Sequence, residues 1–191
     1  ESHDVRHGAL PNLHRLTADV LSGGLPDGDA GFAELAALGV KTVISVDGAT
    51  PDVEGAERHG LRYVHIPITY AEVTEAEQLE LARAIRDLPG PVYVHCHHGK
   101  HRSPAAAAAA GVALGLVTAE QGVAFMRTAG TAPNYEGLYA CVSIARAAEP
   151  AKLDAAPAEF PPVCQAEGIV AAMIEVDHAF EHLTTIKSAG W

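Results

Sequence analysis

Apolar residues along this chain follow two rhythms that alternate. Leu13–Leu16 and Val20–Ser22 read as two short strands that open the fold, Lys41–Val46 is a short, β-branched, nearly uncharged run with the composition of a buried strand, and Arg62–Ile66 and the buried run Pro91–His95 read as further strands. Between them, apolar positions recur at helical spacing. One set is Phe32, Leu35, Ala36 and Leu38 before Gly39, a second lies in Asp52–His59 before Gly60, and a third in Thr74–Leu88, opened by the capping box Thr74-x-x-Glu77 and closed by Pro89-Gly90. Strand and helix in turn predict a mostly parallel sheet covered by helices. After Ser103, the expected N-cap with Pro104 at the first helical position, only helices follow: one from the alanine tract, one opened by Thr118 and Gln121, and one from about Asn134 toward Ala148.

The remainder changes character. Residues 149–162 are rich in alanine and proline and read as a linker, and within 163–191 the residues Ile169, Met173, Val176, Phe180 and Leu183 mark one face of a helix. That face is expected to bury against the domain of residues 1–148 or against a second copy in a homodimer.

Composition narrows the partners. A chain of 191 residues, 48% of them hydrophobic, suits one substantial core. With 13 basic against 24 acidic residues, the formal charge of -11 disfavours nucleic acid and anionic membranes, while a small anion in a focused basic pocket stays compatible. No apolar run is long enough to span a bilayer. The three cysteines Cys96, Cys141 and Cys164 lie far apart, which argues against a disulfide framework and favours a reducing, cytoplasmic setting; the start at Glu1 leaves an exported mature chain as the alternative.

The chemistry concentrates in His95-Cys96-His97-His98-Gly99-Lys100-His101-Arg102-Ser103, between a strand and a helix start, at the sheet edge where open α/β folds bind ligands. Five residues between Cys96 and Arg102 let the backbone curl so that its N–H groups converge, and the helix terminus adds positive potential. A phosphate dianion suits that cradle, and the same field favours a thiolate at Cys96 that can attack phosphorus. Arg102 can grip two phosphoryl oxygens at once. Four histidines and one cysteine within seven residues also suggest a metal, but adjacent His97 and His98 diverge and no second ligand pair is evident, so neither metal nor cofactor is expected. His14, His59, His65, His178, His182, Cys141 and Cys164 read as packing or surface residues, and Tyr135 and Tyr139 as one buried helix face.

His-Cys-x5-Arg-Ser/Thr resembles the signature of the cysteine-dependent protein-tyrosine and dual-specificity phosphatases, over roughly Asn12–Ala148 in element order. That resemblance implies a dual-specificity-phosphatase-like α/β fold with an appended C-terminal helix. It also implies Cys96 as nucleophile, Arg102 as phosphate ligand, Ser103 as the hydroxyl steadying the departing thiolate, and His95 as support for the cysteine. The interior Gly99-Lys100-His101-Arg102 is similar to plant and fungal atypical dual-specificity phosphatases, which carry Gly-Lys-His-Arg-Thr-Gly and act on inositol pyrophosphates; here Ser-Pro follows. A rhodanese-like loop would be one residue shorter.

The family's proton donor is an aspartate on the loop that here is residues 67–74, and that loop holds none. Glu72 is the stand-in by position, and Asp47, after the strand Lys41–Val46, is a second candidate or a turn cap. With His97, His98, Gly99, Lys100 and His101 around the anion, the expected ligand is a small phosphorylated compound or a phosphoprotein. The competing expectation is a phosphate-binding pseudophosphatase without competent acid catalysis.

Overall fold

A computed structural model of the chain describes residues 8–164, together with Val176, Ala179 and Leu183. Five strands, β1 (His14–Arg15), β2 (Val20–Gly23), β3 (Thr42–Ser45), β4 (Arg62–His65) and β5 (Val92–His95), form one sheet in the order β1-β2-β5-β3-β4. Only β1 runs antiparallel to its neighbour, as the alternation predicts. Parallel strands end on the same edge, so Gly23, Ser45 and His95 lie in register there. Every crossover helix returns the chain to the opposite edge, leaving the turns after β2, β3, β4 and β5 gathered around the end of β5.

Alternation along β5 splits its side chains between two cores. Val92, Val94 and Cys96 join one face with Ile44, Val64 and the helices α3 (Glu75–Asp87), α4 (Arg102–Ala113), α5 (Ala119–Thr128) and α6 (Glu136–Ile144). Tyr93 joins the other with Leu21, Val43, Phe32 and Leu35, beneath α1 (Gly28–Ala37) and α2 (Val53–Arg58). Central to the first core is α4, whose Ala105 through Ala110 are wholly buried. Methyl side chains let α3, α5 and α6 close upon it.

The two capping boxes form as read: Thr74 and Thr118 each accept from the residue three positions on, and Glu77 and Gln121 each reach back to the cap N–H. The third start differs. Arg102 begins α4 with His101 as the N-cap, and the Ser103 hydroxyl serves the loop instead of a helix N–H.

The stretch 149–162 does not simply bridge. Pro150–Ala155 forms α7 with Leu153 buried against α3, and Phe160 is buried in the first core. Two apolar side chains anchor a segment whose alanine and proline content reads as a spacer. The C-terminal helix expected in 163–191 falls mostly outside the described residues; of its stripe, Val176 and Leu183 are helical and exposed.

Candidate active site

Residues 96–101 make the turn from β5 into α4, and the surroundings hold their carbonyls outward. The Leu25 N–H donates to the His97 carbonyl at 3.0 Å, Asn12 Nδ2 to the Gly99 carbonyl at 2.9 Å, and Thr131 Oγ1 to the Lys100 carbonyl at 2.6 Å. Asn12, in a left-handed conformation that asparagine tolerates, also donates to the Ala129 carbonyl at the end of α5. With the carbonyls taken from outside, the N–H groups of His97, Gly99, Lys100 and His101 meet no protein acceptor among the described residues. This is the arrangement an anion needs.

Gly99 is what allows the curl. Its φ of +74° belongs to the left-handed region, and a Cβ there would overlap the Gly23 carbonyl carbon and the Gly24 nitrogen. A Cβ on Gly24 would press against His97 and Pro11. The Gly23-Gly24 pair is thus a seat for the loop as well as a turn.

Cys96 sits beneath this nest, buried, with its Sγ 3.3 Å from Ser103 Oγ. Ser103 also donates to the Gly23 carbonyl at 3.0 Å. A hydroxyl has one proton, so a thiol at Cys96 donates to Oγ while Ser103 donates to Gly23, and a thiolate takes the hydroxyl proton by rotation. His95 supports the cysteine from below: its Nδ1 donates to the Cys96 carbonyl at 3.3 Å, and its Nε2 lies 2.6 Å from the Tyr63 hydroxyl. Complete burial pulls the His95 pKa down to about 4, against the smaller upward pull of the Cys96 carbonyl. The ring is neutral.

Arg102 is buried, and its Nη2 donates to Asp47 Oδ2 at 3.3 Å and to the Tyr70 hydroxyl at 3.2 Å, with the guanidinium 4.2 Å from the Tyr70 ring centroid. Burial alone would raise the Asp47 pKa, but the Arg102 charge and the Ala49 N–H hold the carboxyl below its ordinary range. Asp47 therefore both caps its turn and faces the arginine. Glu72 is exposed, and its charge acts on Cys141, whose thiol burial already pushes up; no contact joins it to the loop. Of the two acid candidates, only Asp47 comes to the site.

Two flanks border the cradle. On one, His101 stacks on Tyr135 at 4.1 Å between centroids, and Tyr70 packs against Tyr135 at 5.4 Å. Tyr135, read from spacing as core, packs on the core and also walls the site. Burial and cationic neighbours lower the His101 pKa to about 4. On the other flank, His97, His98 and Lys100 open onto a cleft of about 430 Å³ bounded by Asn12, Leu25 and Asp27. Burial lowers the His98 pKa, and His97 and Lys100 add to it, the mark of local positive potential in an acidic chain. Among the described residues no three His, Cys, Asp or Glu side chains converge as metal ligands, and no helix is long and apolar enough to cross a membrane.

No protein-family model matches the sequence, and neither does any curated protein. Solved structures do. TpbA of P. aeruginosa is 27% identical with a TM-score of 0.58, the match covering 69% of this chain and 83% of that one. A cysteine-to-serine variant of TpbA in complex with phosphotyrosine is 25% identical with a TM-score of 0.59, covering 74% of this chain and 93% of that one. This chain is a cysteine-dependent phosphatase of the protein-tyrosine and dual-specificity type. The core catalytic domain of the PP-IP phosphatase SIW14 of S. cerevisiae, in complex with citrate, shares the phosphatase's fold at 11% identity and a TM-score of 0.58, over 70% of this chain and 85% of that one.

Sequence reasoning missed several residues that build the phosphatase's site: Asn12, Tyr63, Tyr70 and Thr131, all from separate segments. Two signals pointed toward them. Gly23-Gly24 closes a strand that ends on the same edge as Cys96, and Tyr70 stands in the loop where an aspartate is expected.

Proposed function

We propose that Cys96 is the nucleophile of this phosphatase, that Arg102 and the loop N–H groups bind the phosphoryl oxygens, and that Asp47 is the proton donor. The observation that carries the reading is the outward capture of the loop carbonyls over the Cys96 thiol, which leaves the N–H groups to converge on a dianion. The Cys96 thiolate attacks phosphorus, the bond from phosphorus to the leaving oxygen breaks, and that oxygen takes a proton. Water then attacks the phosphocysteine, a carboxylate removes its proton, and the thiolate departs, steadied by the Ser103 hydroxyl.

Asp47 suits this cycle because its charge depends on Arg102. A phosphate dianion on Arg102 competes for the guanidinium and repels the buried carboxylate, so substrate binding itself draws a proton onto Asp47. The donor is charged in the empty site and protonated when needed.

Two substrate classes have support. The likeness to TpbA, one structure of which holds phosphotyrosine, favours phosphotyrosine in a peptide or protein, with the Tyr70 and Tyr135 wall beside the phosphoryl site. The cleft with His97, His98 and Lys100 favours a small compound with further phosphates, such as an inositol phosphate or pyrophosphate. Turnover of phosphotyrosine peptides, phosphoinositides, inositol polyphosphates and inositol pyrophosphates by wild type and Cys96→Ser tests both. Loss of all turnover in Cys96→Ser is expected. Phosphate binding without turnover in the wild type would make the protein a pseudophosphatase.

A further inference from the structure

We infer that residues 156–164 are a working part of the active site, because through His65 they hold Asp47 against Arg102. The inference rests on the reading of Asp47 as proton donor, and its geometry lies outside the loop. β4 is an edge strand of the sheet, and at its last residue the His65 N–H donates to the Pro161 carbonyl at 3.0 Å. One residue earlier, Phe160 is buried in the same core that holds Val64 and Ile66, which anchors the segment.

The His65 imidazole then joins two parts that never touch in sequence. Its Nε2 lies 2.7 Å from the Asp47 carbonyl, which can only accept, so Nε2 carries the proton. Its Nδ1 is therefore the acceptor, and the Cys164 N–H donates to it at 3.1 Å. Both nitrogens of a ring only 5% exposed are in use, one by the catalytic turn and one by the C-terminal segment. Asp47 in turn accepts from the Ala49 N–H at 3.1 Å and from Arg102 at 3.3 Å. Two of these contacts hold the carboxylate itself; the His65 bond fixes the backbone carbonyl from which that side chain is aimed, and the segment stands behind it. Burial keeps the ring neutral, which this bonding requires.

His65 is a positioning residue on this account, and Phe160 anchors it at one remove. The test compares an aryl phosphate, whose leaving group hardly needs a proton, with an alkyl phosphate, which does, in full-length wild type, His65→Leu, His65→Gln, Phe160→Ala and Asp47→Asn. His65→Leu and Phe160→Ala are expected to lose about tenfold on the alkyl phosphate and less than about twofold on the aryl one, part of the loss in Asp47→Asn. His65→Gln, which offers a donor and an acceptor on one side chain, should recover most of it. Equal loss on both substrates, or none, overturns the inference. If Asp47→Asn shows no selective loss, the donor reading fails, and the Ala49 amide and Arg102 guanidinium resonances decide the rest: shifts in Phe160→Ala support the strut, and unchanged positions sink it.

Discussion

Tyr63 donates its hydroxyl proton to Nε2 of His95 across 2.6 Å, and that contact decides which ring nitrogen faces Cys96. With Nε2 accepting, the imidazole proton must sit on Nδ1, where it reaches the Cys96 carbonyl. Tyr63→Phe removes the donor inside a buried site. Either Nε2 stays unsatisfied, or the proton moves to it and the Nδ1 lone pair is turned against the carbonyl. We expect a loss of about 1–3 kcal/mol in chemical denaturation and a slower iodoacetate reaction at Cys96, together with a change in the His95 ¹⁵N shifts. Unaltered imidazole shifts would show that Tyr63 does not set the tautomer.

The loop's curvature depends on Gly99 and its suspension on Asn12. Gly99→Ala meets both a left-handed φ and backbone overlap with Gly23 and Gly24, so phosphate or sulfate binding should be abolished. Asn12→Ala removes two carbonyl contacts and should cost about 1–3 kcal/mol while weakening the anion less. Calorimetric titration with phosphate measures both. Full affinity in Gly99→Ala would mean that the anion binds elsewhere.

Acid should destabilise the fold through its histidines before its carboxylates. His95 and His101 titrate near 4 in the folded protein, and burial lowers His65 as well, whereas an unfolded histidine titrates near 6.5. Between those values the unfolded chain binds more protons than the folded one, so stability is complete above about pH 6.5 and falls as pH drops toward 4. Asp47, lowered by Arg102 against the pull of burial, adds its loss below that window. Melting temperature measured from pH 8 to pH 4 should decline below about 6.5; a flat profile from 7 to 5 contradicts the neutral, buried rings.

Asp47 and Glu72 separate by leaving-group dependence. In a series of substituted aryl phosphates, Asp47→Asn should steepen the rise of kcat/KM as the leaving group's pKa falls, by about 10²–10⁴-fold in rate at the poorest leaving group. Glu72→Gln should match wild type, since Glu72 is exposed and, among the described residues, makes no hydrogen bond to the loop. Wild type as steep as both variants would remove a protein acid from the reaction altogether.

How far these features could be read from the chain follows how local they are. The nine residues His95–Ser103 carry their own signal because nucleophile, nest and arginine are contiguous, and the two capping boxes close within four residues. Asn12, Tyr63 and Thr131 could not be read so, since each matters only where the sheet's topology delivers it. Asp47 shows the intermediate case: its strand placed it on the correct edge, but only folding opposes it to Arg102. Ser103 looked like a cap from its neighbours, and the thiol and the Gly23 carbonyl claimed it instead.

The alanine helix sets how this phosphatase can evolve. Six consecutive side chains from Ala105 to Ala110 sit at zero exposure between neighbouring helices, so no substitution there enlarges without displacing a partner, at a cost of about 1–3 kcal/mol for overpacking. The helix whose terminus adjoins the proposed anion site is therefore clamped around its circumference, and the loop above it is a fixed template. New substrates must be met by changing the two flanks, where His97, His98 and Lys100 on one side and Tyr135 on the other are open to variation, while the ground beneath the loop stays as it is.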